Sequence, residues 1–119
     1  MAMNRRLVSN RYPYLPLHLQ VRQKEIDVEA LIDTGFDGGL AVPSSFIAES
    51  EVPNGHHRWK LADNSIVAAP FYLGTVGLGE VGSFIIAVTL MGDEFLIGQG
   101  LLRRFIIIFD HGRRVIVEP

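Results

Sequence analysis

From Leu15 to Ala30 the chain keeps a period of two, and at Leu31-Ile32 it breaks it. Leu15, Leu17, Leu19 and Val21 alternate with Pro16, His18 and Gln20; Arg22 to Glu25 is polar and predicts a turn; Ile26, Val28 and Ala30 then alternate with Asp27 and Glu29. Such alternation marks strands with one buried face. Leu31 and Ile32 supply apolar side chains to both faces, so the strand enters the interior just before Asp33. A single carboxylate thus sits at the end of a buried strand, followed at once by a turn made of Thr34, Gly35, Asp37, Gly38 and Gly39. Any fold for this chain has to house that carboxylate.

The rest of the sequence also reads as β. Leu40-Ala41-Val42 predicts a short strand, and Pro43 opens a short helix over Ser44 to Ser50. Residues 53–65 are polar and turn-rich apart from Trp59 and Leu61, and predict a loop. Ile66 to Val76 and Phe84 to Leu90 predict strands, split by the glycines at 77, 79 and 82. Phe95-Leu96-Ile97 is a short apolar run closed by Gly98, and Gln99 to Arg104 has room for one or two helical turns. Phe105 to Phe109 and Arg114 to Glu118 flank Asp110-His111-Gly112-Arg113, a hairpin signal. The reading is an all-β chain with one or two short helices. It forms a single domain over 1–119, of which 1–12 is a flexible N-terminal segment.

Bulk properties exclude several classes. Net charge is −2, which gives no electrostatic reason to bind nucleic acid or an anionic membrane; the small cluster Arg5, Arg6 and Arg11 reads as a solvated terminus. The absence of cysteine removes disulfides, thiolate metal sites and cysteine nucleophiles, and fits a reducing compartment. The first residues, MAMNRRLVSNRYPY, lack the apolar core of a signal peptide, and no apolar run approaches the roughly 18 residues that span a bilayer. A soluble, cytoplasmic protein is expected.

Two motifs are decoys. Gly77-Leu78-Gly79-Glu80-Val81-Gly82 matches G-x-G-x-x-G, but the dinucleotide fingerprint needs a helix directly after it, and here Ser83 to Val88 is β-type, so a glycine-rich hairpin is expected. His56 and His57 would point to opposite faces of a strand, with no third ligand at a useful spacing, so no metal and no cofactor are expected.

At Asp33 two readings stand. Asp33-Thr34-Gly35 alone fits an Asx turn, with Asp33 accepting from the following amides and Gly35 at positive φ. The motif has company, however: an apolar lead-in, Asp37 two residues past the glycine, and further on 95-FLIGQGLL-102, in which Ile97-Gly98 is followed by Leu101-Leu102. With these residues the sequence resembles the retropepsin-like aspartic proteases, especially their small prokaryotic single-domain members, over residues 15–118 in order and spacing. Trp59-Lys60, ahead of a polar tip at Asp63-Asn64-Ser65, resembles more faintly the approach to the flap of retroviral proteases.

The resemblance implies a closed acid-protease-like β-barrel, one lobe per chain. It implies an aspartic endopeptidase in which Asp33 of each subunit of a homodimer meets its copy on a two-fold axis. Two carboxylates so close share one proton: the ionised one takes a proton from water, the protonated one donates to the scissile carbonyl, and the pair titrates as a unit. By the same resemblance Thr34 would brace the loops across the dimer axis, and Gly35 would make the turn and face a peptide or protein substrate. Phe36, Asp37 and Gly38, with Ala62, Asp63 and Asn64 of the flap, would bind that substrate, and Ile97 and Gly98 would pack beneath the loop. Apolar pocket candidates are Phe36, Leu40, Trp59, Ile66 and Leu96. The chain departs from the retroviral pattern at Phe36, where a small residue is usual, and at Gln99, where an arginine pairs with the aspartate matching Asp37; Arg103 or Arg104 could supply that pair instead. The flap tip is polar, and 105–118 could form a hairpin of its own, so the dimer contacts could differ. The alternative is a catalytically silent dimerisation or peptide-binding module on the same fold.

Overall fold

The computed structural model describes residues 5–119. In chain order it contains β1 (Leu7–Ser9), β2 (Tyr14–Val21), β3 (Lys24–Ile32), β4 (Leu40–Val42), β5 (Gly55–Lys60), β6 (Ile66–Gly77), β7 (Ser83–Leu90), β8 (Leu96–Ile97), the one-turn helix α1 (Gln99–Leu102), β9 (Ile106–Asp110) and β10 (Arg114–Glu118). Seven strands form one sheet in the order β2-β3-β8-β4-β7-β6-β5, and β6 pairs back onto β2 at Leu19↔Val76. Six of the seven therefore close into a ring, and β5 hangs on β6 outside it. The observed fold is the all-β chain read from the residues, closed into the barrel that the resemblance implies.

Alternation does the folding work. Leu15, Leu17, Leu19 and Val21 of β2 are buried while Pro16, His18 and Gln20 are exposed. Leu40, Ala41 and Val42 of β4 are all buried, because β4 is enclosed between β7, to which it runs parallel, and β8, to which it runs antiparallel. The break at Leu31-Ile32 has its cause in register: these two residues pair in parallel with Leu96 and Ile97 of β8, which places the end of β3 inside the ring. A second sheet, β1-β10-β9, packs Val115 and Val117 onto the core.

Several local expectations change. The turn between β2 and β3 is only Arg22-Gln23, since Arg22 takes a left-handed φ of 53° and lets Lys24 pair directly with Val21. Ser44 to Ser50 forms isolated turns, not a helix: Phe46 N–H donates to the Pro43 carbonyl and Glu51 N–H to that of Ala48, while Ser44 N–H goes to Gly92. Seven residues hold too few helical bonds to repay nucleation, and the adjacent Phe46 and Ile47 are both buried. The loop expected over 53–65 contains β5, whose alternation is hidden in polar types: Gly55, His57 and Trp59 are half-buried, and His56, Arg58 and Lys60 are exposed. Of the segment expected to be flexible, 1–4 lies outside the described residues and Leu7–Ser9 pairs with β10. The two glycine signals behave as read: Gly79–Val81 is a 3-10 turn inside the β6–β7 hairpin, and His111 and Gly112 take left-handed φ in the β9–β10 turn. Among the described residues no helix is long and apolar enough to cross a membrane.

One cross-strand cluster gives the barrel a pH dependence. His18 on β2 lies opposite Asp27 on β3, with Nδ1 2.7 Å from Asp27 Oδ1 and Nε2 2.7 Å from Glu25 Oε1. Both ring nitrogens face carboxylates, an arrangement that favours the protonated ring, which can donate to both. The hydrogen bond to Asp27 first, and that to Glu25 second, raise the His18 pKa above 6.5. The folded value lies above the unfolded one, so the stabilisation is complete below about pH 6.5 and is lost as pH rises through the folded value. His18→Gln should therefore lower the melting temperature at pH 6 and have a smaller effect at pH 9; thermal unfolding at the two pH values checks it, and an equal loss at both refutes it.

Candidate active site

The loop after β3 is held by the backbone of the β8–α1 junction. Asp33 N–H donates to the Ile97 carbonyl at 2.9 Å, extending the β3–β8 ladder one step past the strand. Gly98 N–H donates to Gly39 O at 3.1 Å, Gln99 N–H to Phe36 O at 2.7 Å, and Gly100 N–H to Gly38 O at 3.0 Å. The Gln99 side chain adds a bond from Nε2 to Thr34 O at 3.1 Å. Where an arginine would sit in the retroviral pattern, the amide thus ties α1 to the tip of the loop. The approach is possible because position 98 lacks a side chain: a Cβ there would lie 2.3 Å from Gly38 O and 2.5 Å from Phe36 O. Gly98 and the fully buried Ile97 lie beneath the loop, where the sequence reading put them.

Within the loop, Gly35 N–H donates to Asp33 Oδ1 at 3.0 Å and Phe36 N–H to Asp33 O at 3.2 Å. The Asx-type bond is present, but Gly35 is not among the residues at positive φ, so that part of the turn reading is corrected: the turn closes with an ordinary backbone. The half-buried Asp33 carboxylate opens into a cavity of about 480 Å³, a size that suits ligands. Gly35, Phe36 and Asp37 border it from the loop, Arg58 to Ala62 from the β5–β6 hairpin, and Met91 and Leu96 from the barrel.

Phe36 carries more than the sequence reading assigned to it. Its ring is buried, lies under Gly38 and Gly98, and meets the Trp59 indole with centroids 5.1 Å apart. The stack continues along the hairpin, with His57 edge-on to Trp59 and face-on to Phe71 at 4.1 Å. A large residue after Asp33-Thr34-Gly35 therefore narrows the cavity and anchors the hairpin over it. Truncating such a buried ring costs about 3–5 kcal/mol.

Other candidates fall outside the cavity wall. Thr34 is exposed at the loop tip and Gly38 lies against the Phe36 ring. Asp63 and Asn64 close the β5–β6 turn: Asp63 Oδ1 accepts from Ser65 N–H at 2.9 Å and from its hydroxyl at 2.5 Å, and Asn64 takes a left-handed φ of 68°. The Ser65 hydroxyl, then its amide, hold the Asp63 pKa below the usual carboxylate value. Of the apolar pocket candidates, Phe36, Trp59 and Leu96 border the cavity; Leu40 is fully buried in the core and Ile66 is 60% exposed on the hairpin. Arg58 and Met91 went unread and Lys60 was read only as part of the flap approach; the signal for the two cations was their place on either side of Trp59. Arg103 supplies the partner of Asp37, at 4.0 Å between two exposed side chains, a pair worth little. Among the described residues no group of three or more metal-ligating side chains comes together. A larger cavity, about 620 Å³, touches His18, Asp27 and Gly77 and shares no residue with the one at Asp33.

The loop contact makes a sharp prediction. Gly98→Ala should destabilise the protein by at least about 2 kcal/mol, since backbone atoms on the facing loop cannot move aside. Gly77→Ala, where the nearest atoms are 3.5 Å or more away, should change stability by no more than about 1 kcal/mol. Urea denaturation of both variants checks the contrast, and equal effects would refute the account of Gly98.

No family model and no curated protein matches the chain. Solved structures do. A retropepsin-like aspartic protease from Rickettsia conorii superposes with a TM-score of 0.58 at 19% identity, covering 94% of this chain and 87% of its own. The protease of simian foamy virus (mac) superposes with a TM-score of 0.50 at 19% identity, covering 74% of this chain and 91% of its own. The chain thus has, over most of its length, the fold of these retropepsin-like aspartic proteases.

Proposed function

We propose that the protein is an aspartic endopeptidase that works as a homodimer. The observation that carries this reading is the placement of Asp33: a half-buried carboxylate, fixed by a backbone-locked loop, at a cavity roofed by a hairpin, on a retropepsin-like barrel. One carboxylate cannot serve as both acid and base in the same step, and the described chain brings no second one into the cavity except Asp37, which faces Arg103. A second copy related by a two-fold axis supplies the missing Asp33.

Chemistry follows from the pair. Of the two Asp33 carboxyls one is ionised and one protonated, because the like charges repel. The ionised carboxylate takes a proton from a water whose oxygen attacks the scissile carbonyl carbon, while the other carboxyl gives its proton to the carbonyl oxygen. The resulting gem-diol collapses as the C–N bond breaks and the nitrogen takes a proton back from the dyad. The β5–β6 hairpin excludes bulk water during these steps. Support for self-association comes from β9, which among the described residues is an edge strand paired only with β10 and on which Ile106 and Ile108 are 57% and 39% exposed.

Wild-type protein should cleave members of a broad peptide library between acidic and neutral pH, and Asp33→Asn should reduce cleavage by at least about 10²–10⁴-fold while keeping the fold. Native mass spectrometry should find a dimer at micromolar concentration. A strict monomer, or equal cleavage by Asp33→Asn, overturns the peptidase reading. A dimer that binds peptides and cleaves none identifies the silent module.

A further inference from the structure

The β5–β6 hairpin carries information about what the cavity takes. Among the described residues β5 is hydrogen-bonded on one edge only, to β6, and the successive residues Arg58 to Ala62 all border the cavity. The cavity therefore runs along the open edge of β5, where an extended peptide can pair as an added strand. In such pairing, residues directly opposite each other share a face and neighbours alternate. A peptide residue opposite Trp59 would point, like Trp59, towards Phe36. The residues on either side of it would point the other way, opposite Arg58 and Lys60.

Those two cations are unmatched. Neither makes a hydrogen bond or ion pair among the described residues, and their cross-strand partners on β6 are Ala68 and Ile66, with no charge to offer. The nearby acidic groups are already engaged: Asp37 faces Arg103, Asp63 accepts from Ser65, and Asp33 accepts from Gly35 N–H. We infer that the hairpin selects extended peptides in which an apolar residue is flanked on both sides by acidic ones, with Arg58 and Lys60 reading the acidic pair and Trp59 with Phe36 the apolar residue. This rests on the reading that the Asp33 cavity takes a peptide.

Trp59 is the single tryptophan of the chain and stands in the cavity wall, so its fluorescence reports occupancy without any turnover. The test titrates the Asp33→Asn protein with three otherwise identical peptides whose centres read Glu-Phe-Glu, Gln-Phe-Gln and Lys-Phe-Lys. The Glu peptide should bind about tenfold more tightly than the Lys peptide, and the gap should narrow at high salt. Adding Arg58→Glu and Lys60→Glu should reverse the order. If that variant loses its strand signal in circular dichroism, Arg58→Gln with Lys60→Gln should make the Glu and Lys peptides bind alike. Equal binding of all three peptides, an order that survives the charge changes, or no binding overturns the inference. Acid-selective binding with no cleavage by the wild type overturns the peptidase reading alone, and cleavage without acid selectivity overturns this inference alone.

Discussion

The peptide groups of Phe36 to Gly39 lie against those of Ile97 to Gly100 at a distance no side chain can share. Three backbone hydrogen bonds, from the amides of Gly98, Gln99 and Gly100, join the two segments, and a fourth from the Asp33 amide to the Ile97 carbonyl ties in the start of the loop. A Cβ at Gly98 or at Gly100 would strike the facing backbone at 2.3 Å and 2.9 Å respectively. The position of Asp33 follows from this contact, because the loop has no strand partner of its own beyond Ile32. So does the position of Phe36, whose ring fills the space that Gly38 and Gly98 leave. Phe36 in turn supports Trp59, and Trp59 sets the height of the hairpin above the cavity. One steric permission at residue 98 thus propagates through an aromatic stack to the roof of the site.

Much of this was legible in the sequence, for identifiable reasons. β2 announces itself because one face is buried from Leu15 to Val21 while Pro16, His18 and Gln20 point outward, and β3 follows more weakly, with Ile26 and Val28 half-buried and Ala30 buried. The approach to Asp33 and the Ile97-Gly98 pair are legible because a half-buried carboxylate at a strand end and a side-chain-free contact each need a particular residue type. β5 was hidden because its half-buried positions are Gly55, His57 and Trp59, two of which carry no aliphatic signature. The helix expected after Pro43 failed because nothing in seven residues reveals that Phe46 and Ile47 would both be drawn into the core.

At the site itself, the sequence is informative about backbone and poor about side-chain direction. Leu40 and Ile66 are as apolar as Leu96, yet one is enclosed in the ring and the other stands on an outer surface. Which side of a strand faces a cavity depends on register across the sheet, and that is a property of distant pairs such as Leu31↔Leu96. Gln99 illustrates the same point. As a departure from an expected arginine it looked like a loss, whereas its amide bonds Thr34 O, and the cation that meets Asp37 comes from Arg103 one helical turn later.

The parallel pairing of β3 with β8 also fixes when the site can come into being. Leu31 and Ile32 have to wait for Leu96 and Ile97, and the loop that holds Asp33 is secured only by residues through Gly100. Contacts so far apart in the chain close late and slowly, after the local hairpins β2–β3 and β6–β7 have formed. During synthesis the carboxylate therefore leaves the ribosome long before the segment that orders it. A nascent chain carries Asp33 on an unlocked loop until synthesis has passed Gly100, and the order of translation itself keeps the site unassembled until then.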